Sequence, residues 1–396
     1  MRVAKPVAGR TNTLAELRQR LNKKFGDGTA LSGKQISECL AVRHYSTGFF
    51  ALDVGLRGGF PFNRIVEIIG AEGSTKSSLC LASTVGFQAS DPKAITVYIN
   101  LENALDPAWM TKLKCDFERI IVVHADCGEQ AGDIVDEVVS NAAVPVQMIV
   151  DSIMALVPMC ELESTLDQKF MGQQPALINR IIRVANARIK KSIVGECARS
   201  SLILVNQTRP EIGGNTYAPD IGHSSGGQGR KFFSSQRIVL SSSTPEKFEK
   251  DGGIHKMTTR FGKKVNFQII KNKCGGPEET GTYQFYNRSV NGIPIGVDDA
   301  AAIVNLGLLY NVLHKNGNTI KYGKTDLGAS IDKAVVKVRT NLSGPLLTVI
   351  KNDIMAAARE EFGGDADVRD ENEEKQESRA AVRFKLGGKT TTLLRE

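Results

Sequence analysis

Gly70-Ala-Glu-Gly-Ser-Thr-Lys-Ser77 joins an apolar, strand-like run at Ile65–Ile69 to an apolar, helix-like segment at Leu79–Phe87. A strand, a glycine-bearing turn and a Lys-Ser pair opening a helix can wrap a phosphate. Backbone N–H groups cradle the oxygens, the lysine reaches the terminal phosphates, and the hydroxyl holds Mg2+. Against the pattern G-x-x-x-x-G-K-[ST], Gly70, Lys76 and Ser77 fit. Ala71, Glu72, Gly73 and Ser74 form the turn, Ser78 follows it, and Thr75 stands at the second glycine. A β-branched residue resists the positive φ that glycine permits, so nucleotide affinity or turnover is expected to differ; Gly73 returns some freedom to the loop.

Three polar residues end other apolar runs. Asp151 closes Met148-Ile-Val-Asp151 and either caps a helix or holds Mg2+ through water beside the phosphate loop. Glu102 follows Ile95–Leu101 and is either solvated or, if that strand lies beside the phosphate-loop strand, a base for the attacking water. Gln207 follows Leu202–Asn206 and either caps the strand or senses the γ-phosphate and repositions the stretch after it. Arg180, Arg183, Arg188 and Lys190 lie beyond one glycine- and polar-rich stretch, Cys160–Gln174. Arg209, Arg230 and Lys231 border or lie within another, Thr208–Arg230. They read as surface charges or, together, as neutralisers of a phosphate backbone. Lys271 and Lys273 end a late strand, as edge lysines or as contacts to a second subunit's nucleotide.

These residues need a scaffold of buried strands. Runs at 64–69, 94–101, 119–124, 147–150, 201–206, 237–241 and 264–271 alternate with helical patterns, and the first several are continuously apolar, as in a buried parallel sheet. The fold class expected is α/β, a doubly wound, mostly parallel sheet. Leu14, Leu17 and Leu21 stripe an amphipathic helix at Thr13–Phe25. The expected organisation is an N-terminal element to residue 45, a core at 46–287, a smaller α+β domain at 288–362 and a disordered charged tail at 363–396. Among 396 residues, none of the seven cysteines forms a C-x-x-C pair or joins a Cys/His cluster, so neither a disulfide framework nor a zinc site is indicated. No apolar run approaches the roughly 18 residues that span a bilayer and no apolar leader is visible, so a cytoplasmic location is expected. Residues 360–377 hold nine acidic and two basic side chains; since the whole chain is +8, the remainder carries +15. A basic body suits a polyanion, nucleic acid first, while the acidic tail competes with it.

The motifs in order resemble the bacterial RecA recombinases over about residues 12 to 310. They are Tyr45-Ser-Thr-Gly48 with Ala51-Leu-Asp53, Arg64-Ile-Val-Glu-Ile68 before the loop, Leu101-Glu-Asn-Ala-Leu-Asp-Pro107, Gly128-Glu-Gln130, Val150-Asp-Ser152, Phe170-Met-Gly172, Val205-Asn-Gln207, Gly226-Gly227 before Arg230-Lys-Phe232, and Lys271-Asn-Lys273. The resemblance implies a RecA-like core and a DNA-dependent ATPase that forms helical filaments on single-stranded DNA, pairs it with homologous duplex DNA and exchanges strands. It implies ATP and Mg2+ as cofactors, with Lys76 and Ser77 on phosphate and metal. Asp151 becomes the Walker B carboxylate, Glu102 the base and Gln207 the γ-phosphate sensor. Asp106 and Trp109 fall where the family contacts adenine. Lys271 and Lys273 match the pair reaching a neighbour's ATP, and Phe232 the interface aromatic tied to filament pitch. The two glycine-rich stretches, 160–174 with Gly172 and 208–230 with Gly226 and Gly227, match DNA-binding loops. In them Met171 and Ile212 match base-separating wedges, and Arg183 and Arg209 match backbone contacts. The Thr13–Phe25 helix matches the element that docks on the adjacent subunit. Single-strand-binding and loader proteins are the further partners implied.

Departures accompany the match. Ala176 stands where the family usually has a DNA-contacting arginine, Glu211 where a basic residue is common, and the second loop is about two residues longer. Such divergence suits a phage or distant bacterial relative. Two other readings stay open at this point: a hexameric helicase of similar core, and a DNA-binding filament scaffold with Thr75 marking lost turnover.

Overall fold

The computed structural model describes residues 13–26, 29–33, 42–103, 105–165, 167–168, 170–194, 199–208, 229–252, 255–289, 292–340 and 344–363. The chain divides into two compact units, 1–298 and 299–396.

The first unit is built on a nine-stranded sheet in the order β11-β10-β9-β8-β3-β7-β6-β4-β5. Here β3 is Arg64–Gly70, β4 Ile95–Asn100, β5 Ile120–Val123, β6 Val146–Asp151, β7 Ser200–Gln207 and β8 Gln236–Gly252. These six run parallel. Strands β9 (His255–Asn272), β10 (Thr280–Tyr286) and β11 (Gly296–Asp298) add an antiparallel extension. A short ladder, β1 (His44–Tyr45) on β2 (Phe60–Pro61), precedes them.

The apolar runs dictate this arrangement. β3, β4, β6 and β7 are buried nearly throughout, because helices cover both faces of a parallel sheet. Helices Gly128–Asn141 and Gln173–Val194 pack Val135, Ile178 and Ile182 against Met148, Leu202 and Leu204. β5 differs: Ile121 and Val122 are exposed because it is the sheet edge. The Ser-Thr-Gly…Asp motif closes on itself. Asp53 accepts from the Thr47 N–H at 2.8 Å, the Thr47 hydroxyl at 2.7 Å and the Ser46 hydroxyl at 2.5 Å.

The expected short strands 237–241 and 264–271 are parts of a far longer hairpin, β8 with β9. Its arm Glu246-Lys-Phe-Glu-Lys250 is mostly charged, and charge conceals a strand from an apolar reading. β11 pairs with β10 and so extends the sheet beyond residue 287. The 299–396 unit contains helix Ala300–Leu309, the antiparallel strands β12 (His314–Asn316), β13 (Thr319–Tyr322) and β14 (Thr325–Gly328), and helices Ile331–Thr340 and Pro345–Gly363. The expected tail, past 363, lies outside the described residues.

Candidate active site

The phosphate loop leaves the C-terminal end of β3, where open α/β sheets place their ligands. Gly70 is obligatory for space: a Cβ there would lie 2.4 Å from the Ser74 hydroxyl and 2.6 Å from the Leu240 carbonyl. Gly73 and Thr75 both have left-handed backbones, φ 69° and 71°. Helix Lys76–Ser90 starts directly after Thr75. Lys76 folds back on its own loop, donating to the carbonyls of Gly70 at 2.9 Å and Ala71 at 2.8 Å. Those carbonyls hold its ammonium where an arriving phosphate oxygen would take it over. Burial pulls the Lys76 pKa below its ordinary value, opposed by the nearby Asp151 and Glu102 carboxylates.

Asp151, at the end of β6, accepts from the Ser77 hydroxyl at 2.7 Å and from the Tyr98 hydroxyl at 2.5 Å. Burial pushes its carboxyl up from the ordinary value, and these two hydrogen bonds push back. Among the described residues no group of three or more His, Cys, Asp or Glu side chains could hold a metal alone. One hydroxyl beside one carboxylate suits a Mg2+ that takes its other ligands from phosphate and water.

Glu102 lies on the far side of the same cleft. Its Oε1 accepts from Gln207 Nε2 at 2.8 Å and from the Ser152 hydroxyl. It gets there by a route the sequence does not show. β4 is not beside β3; β6 and β7 intervene. The chain past β4 is carried over the end of β6 by the Leu101 N–H on the Asp151 carbonyl, 2.9 Å. The condition attached to Glu102 is thus unmet, yet its carboxylate faces the cleft.

The open cleft offers about 1050 Å³, just above the roughly 300–1,000 Å³ usual for small-molecule and cofactor sites. Glu72 through Ser78, Glu102, Asp151 and Gln207 all line it. Trp109, on helix Pro107–Lys112, closes one wall with its indole N–H 3.4 Å from the Ser78 hydroxyl and its ring 6.0 Å from Phe285. A smaller cavity beside it is lined by Trp109, Asp106 and Leu105. Asp106 caps the helix, accepting from the Ala108 N–H at 2.9 Å.

A family model described as RecA N-terminal domain matches residues 12–291. This chain belongs to the RecA family. Proteins named RecA from Rhodopirellula baltica, Thermus thermophilus and Mycoplasma mycoides are 32%, 31% and 32% identical to it. The matches cover 80%, 86% and 80% of this chain, and 78%, 92% and 84% of theirs. Membership of the RecA family makes this chain a nucleotide-binding, DNA-dependent ATPase of recombination and DNA repair. The hexameric helicase reading is not favoured.

The residues expected on DNA are placed unevenly. Met171 is 91% exposed, and Gly172 after it has φ 78° with open space around it. Arg183 is exposed on helix Gln173–Val194. Arg209, Ile212, Gly226 and Gly227 lie outside the described residues. Two arginines offered as phosphate neutralisers are engaged elsewhere. Arg188 forms a bidentate pair with Asp136, 2.7 and 3.1 Å. Arg230 is 1% exposed and pairs with Glu67 at 2.6 Å, where Arg237 at 2.6 Å and Asn206 at 2.9 Å join it. Burial would raise the Glu67 pKa, but the two guanidiniums prevail and hold it low.

Phe232 projects beside this buried pair, 72% exposed. Lys271 donates to the carbonyls of Lys231 and, at 3.1 Å, of Phe232. Burial first, then Lys273 and Arg237, bring its pKa down to about 8. Lys273 is exposed. Sequence reasoning missed the contacts of Tyr98, Lys263 and Tyr283, which touch the site residues from β4, β9 and β10, and of Ser152, which reaches Glu102 from just past the end of β6. The charge of Glu67 inside an apolar strand was a usable signal, since a buried carboxylate demands cationic partners.

Proposed function

We propose that this RecA-family chain binds ATP with Mg2+ in the cleft and forms a helical homopolymer on single-stranded DNA, where it catalyses pairing and strand exchange with homologous duplex DNA. The observation carrying this is the pairing of Glu102 with Gln207 across one cleft from Ser77 and Asp151. The reading is supported by these four residues lining the same cleft, where a base, a γ-phosphate sensor and a Mg2+ site would have to meet.

In this reading Lys76 and the N–H groups of residues 70–78 bind the phosphates, Ser77 and Asp151 (through water) hold Mg2+, and Glu102 takes a proton from the attacking water. Asp106 and Trp109 flank the adenine. Lys271, Lys273 and Phe232 act in trans on the neighbour's nucleotide, the lysine releasing the Phe232 carbonyl to do so. The Thr13–Phe25 helix, with Leu14 and Phe25 exposed, supplies apolar surface for docking on that neighbour. Stretches 160–174 and 208–230 bind DNA, through Met171, Gly172, Arg183, Arg209, Ile212, Gly226 and Gly227. The four-part division of the chain at 45, 287 and 362 belongs to this reading, as do a cytoplasmic location and single-strand-binding and loader partners.

Electron microscopy of the protein with single-stranded DNA and a non-hydrolysable ATP analogue tests it, alongside ATPase assays with and without DNA. Helical filaments and DNA-stimulated turnover are expected. Closed six-membered rings, or an unstimulated protein, would overturn it.

A further inference from the structure

Thr75 occupies a conformation that its side chain disfavours, with φ 71° and ψ 18°. Two hydrogen bonds hold it there. The Thr75 hydroxyl donates to the Ser74 carbonyl at 2.5 Å and lies 2.7 Å from the Tyr283 hydroxyl. A threonine hydroxyl has one proton, and Ser74 receives it; Tyr283 is therefore the donor of the second bond. Tyr283 stands on β10, 3% exposed. Its ring lies 4.7 Å from Phe49 and is stacked at 6.3 Å on Phe267, so its hydroxyl is aimed by rigid neighbours. Burial raises the phenol pKa, which keeps it a donor at physiological pH. The other left-handed residue of the loop, Gly73, is held from the same extension: Lys263, on β9, donates to its carbonyl.

We propose that Tyr283 is a positioning residue of the nucleotide site. Through the Thr75 hydroxyl it keeps the loop in the left-handed turn that aims the backbone N–H groups and Lys76 at phosphate. A tethered threonine thereby does what glycine does by conformational freedom alone. The proposal rests on Gly70–Ser77 being the ATP site. It also makes phosphate binding depend on the antiparallel extension, an element separate from the helix start and strand ends that carry Lys76, Asp151 and Glu102.

Tyr283→Phe removes one oxygen and leaves the ring between Phe49 and Phe267. The test is a double-mutant cycle of Tyr283→Phe with Thr75→Gly. It reads the affinity for a fluorescent ATP analogue, the KM and kcat of DNA-stimulated hydrolysis, and the thermal midpoint of each variant. In the Thr75 background Tyr283→Phe weakens nucleotide affinity and raises KM by about 3- to 10-fold, the equivalent of one net hydrogen bond, with kcat changed less than twofold. In the Thr75→Gly background the same change has no further effect, because glycine needs no tether. An equal penalty in both backgrounds, or no penalty in either, removes the positioning role while leaving the ATP site intact. If the wild type binds the analogue no better than Lys76→Ala does, the ATP-site reading falls and takes the proposal with it.

Discussion

Replacing Glu102 by glutamine isolates one atom of the proposed mechanism. Both hydrogen bonds to the carboxylate, from Ser152 and from Gln207, end on Oε1. A glutamine can present its carbonyl oxygen at that position and keep both donors, while Oε2 becomes an amide that cannot accept a proton from water. Binding and catalysis therefore separate. In the proposed site the phosphate contacts come from the loop at residues 70–78, which the substitution does not touch, so ATP affinity should stay within about twofold. The general base contributes about 10²- to 10⁴-fold, which at about 1.4 kcal/mol per tenfold is roughly 3–5.5 kcal/mol of the barrier. Phosphate release at saturating ATP and single-stranded DNA should fall by that factor, and filaments should persist because product forms slowly. Glu102→Ala would be a poorer test, since it also strips Gln207 of its partner. Turnover within threefold of wild type, with ATP bound normally, would refute the assignment and leave water activation to another group.

Other perturbations reach different parts of the molecule. Glu67→Gln strands Arg230 and Arg237 in the interior; loss of one partner of a buried pair costs about 3–5 kcal/mol, a thermal shift on the order of 10 °C in calorimetry. Because the folded pKa of Glu67 lies below its ordinary value, its contribution to stability is present at neutral pH and is lost as pH falls through that depressed value; the variant should show a flatter acid limb. Lys271 must be charged to bind a neighbour's phosphate, and its pKa in the single chain is about 8, so filament-dependent ATP turnover should decline above pH 8. Lys271→Arg, which stays charged, should abolish that decline; an unchanged profile would take Lys271 out of the interface. Met171→Ala should slow strand exchange roughly tenfold, since an inserted apolar wedge offsets part of the few kcal/mol that unstacking a base step costs, while fluorescent-nucleotide binding stays constant; normal exchange would remove the wedge role.

What the sequence disclosed, and what it hid, follows from where each kind of information resides. Gly70–Ser77, Asp151 and Gln207 were legible because the chemistry of a parallel sheet gathers at strand ends, and continuous apolar runs mark those ends. Glu102 was legible as a strand-end acid but not as a neighbour of Gln207. Strand order is decided by the crossovers, and β6 and β7 separate β4 from β3. Arg230 read as a surface cation because exposure is not a local property: the Glu67 that buries it is 163 residues away. The charged arms of β8 and β9 concealed a hairpin for the converse reason, since their strand pairing comes from backbone hydrogen bonds that side-chain polarity does not report.

Thr75 connects these cases. A local rule broken at a site that otherwise keeps Lys76, Ser77, Asp151 and Glu102 is evidence of compensation elsewhere, because the loop cannot cradle phosphate unless something holds it in shape. The compensation found is a tyrosine hydroxyl 208 residues along the chain, on a strand that carries none of the proposed catalytic groups. Residue type alone would have suggested a weakened loop. With the tether in place, the same threonine fixes the loop's shape through tertiary packing, so nucleotide affinity here should track the integrity of the β9–β10 extension as closely as the loop's own sequence.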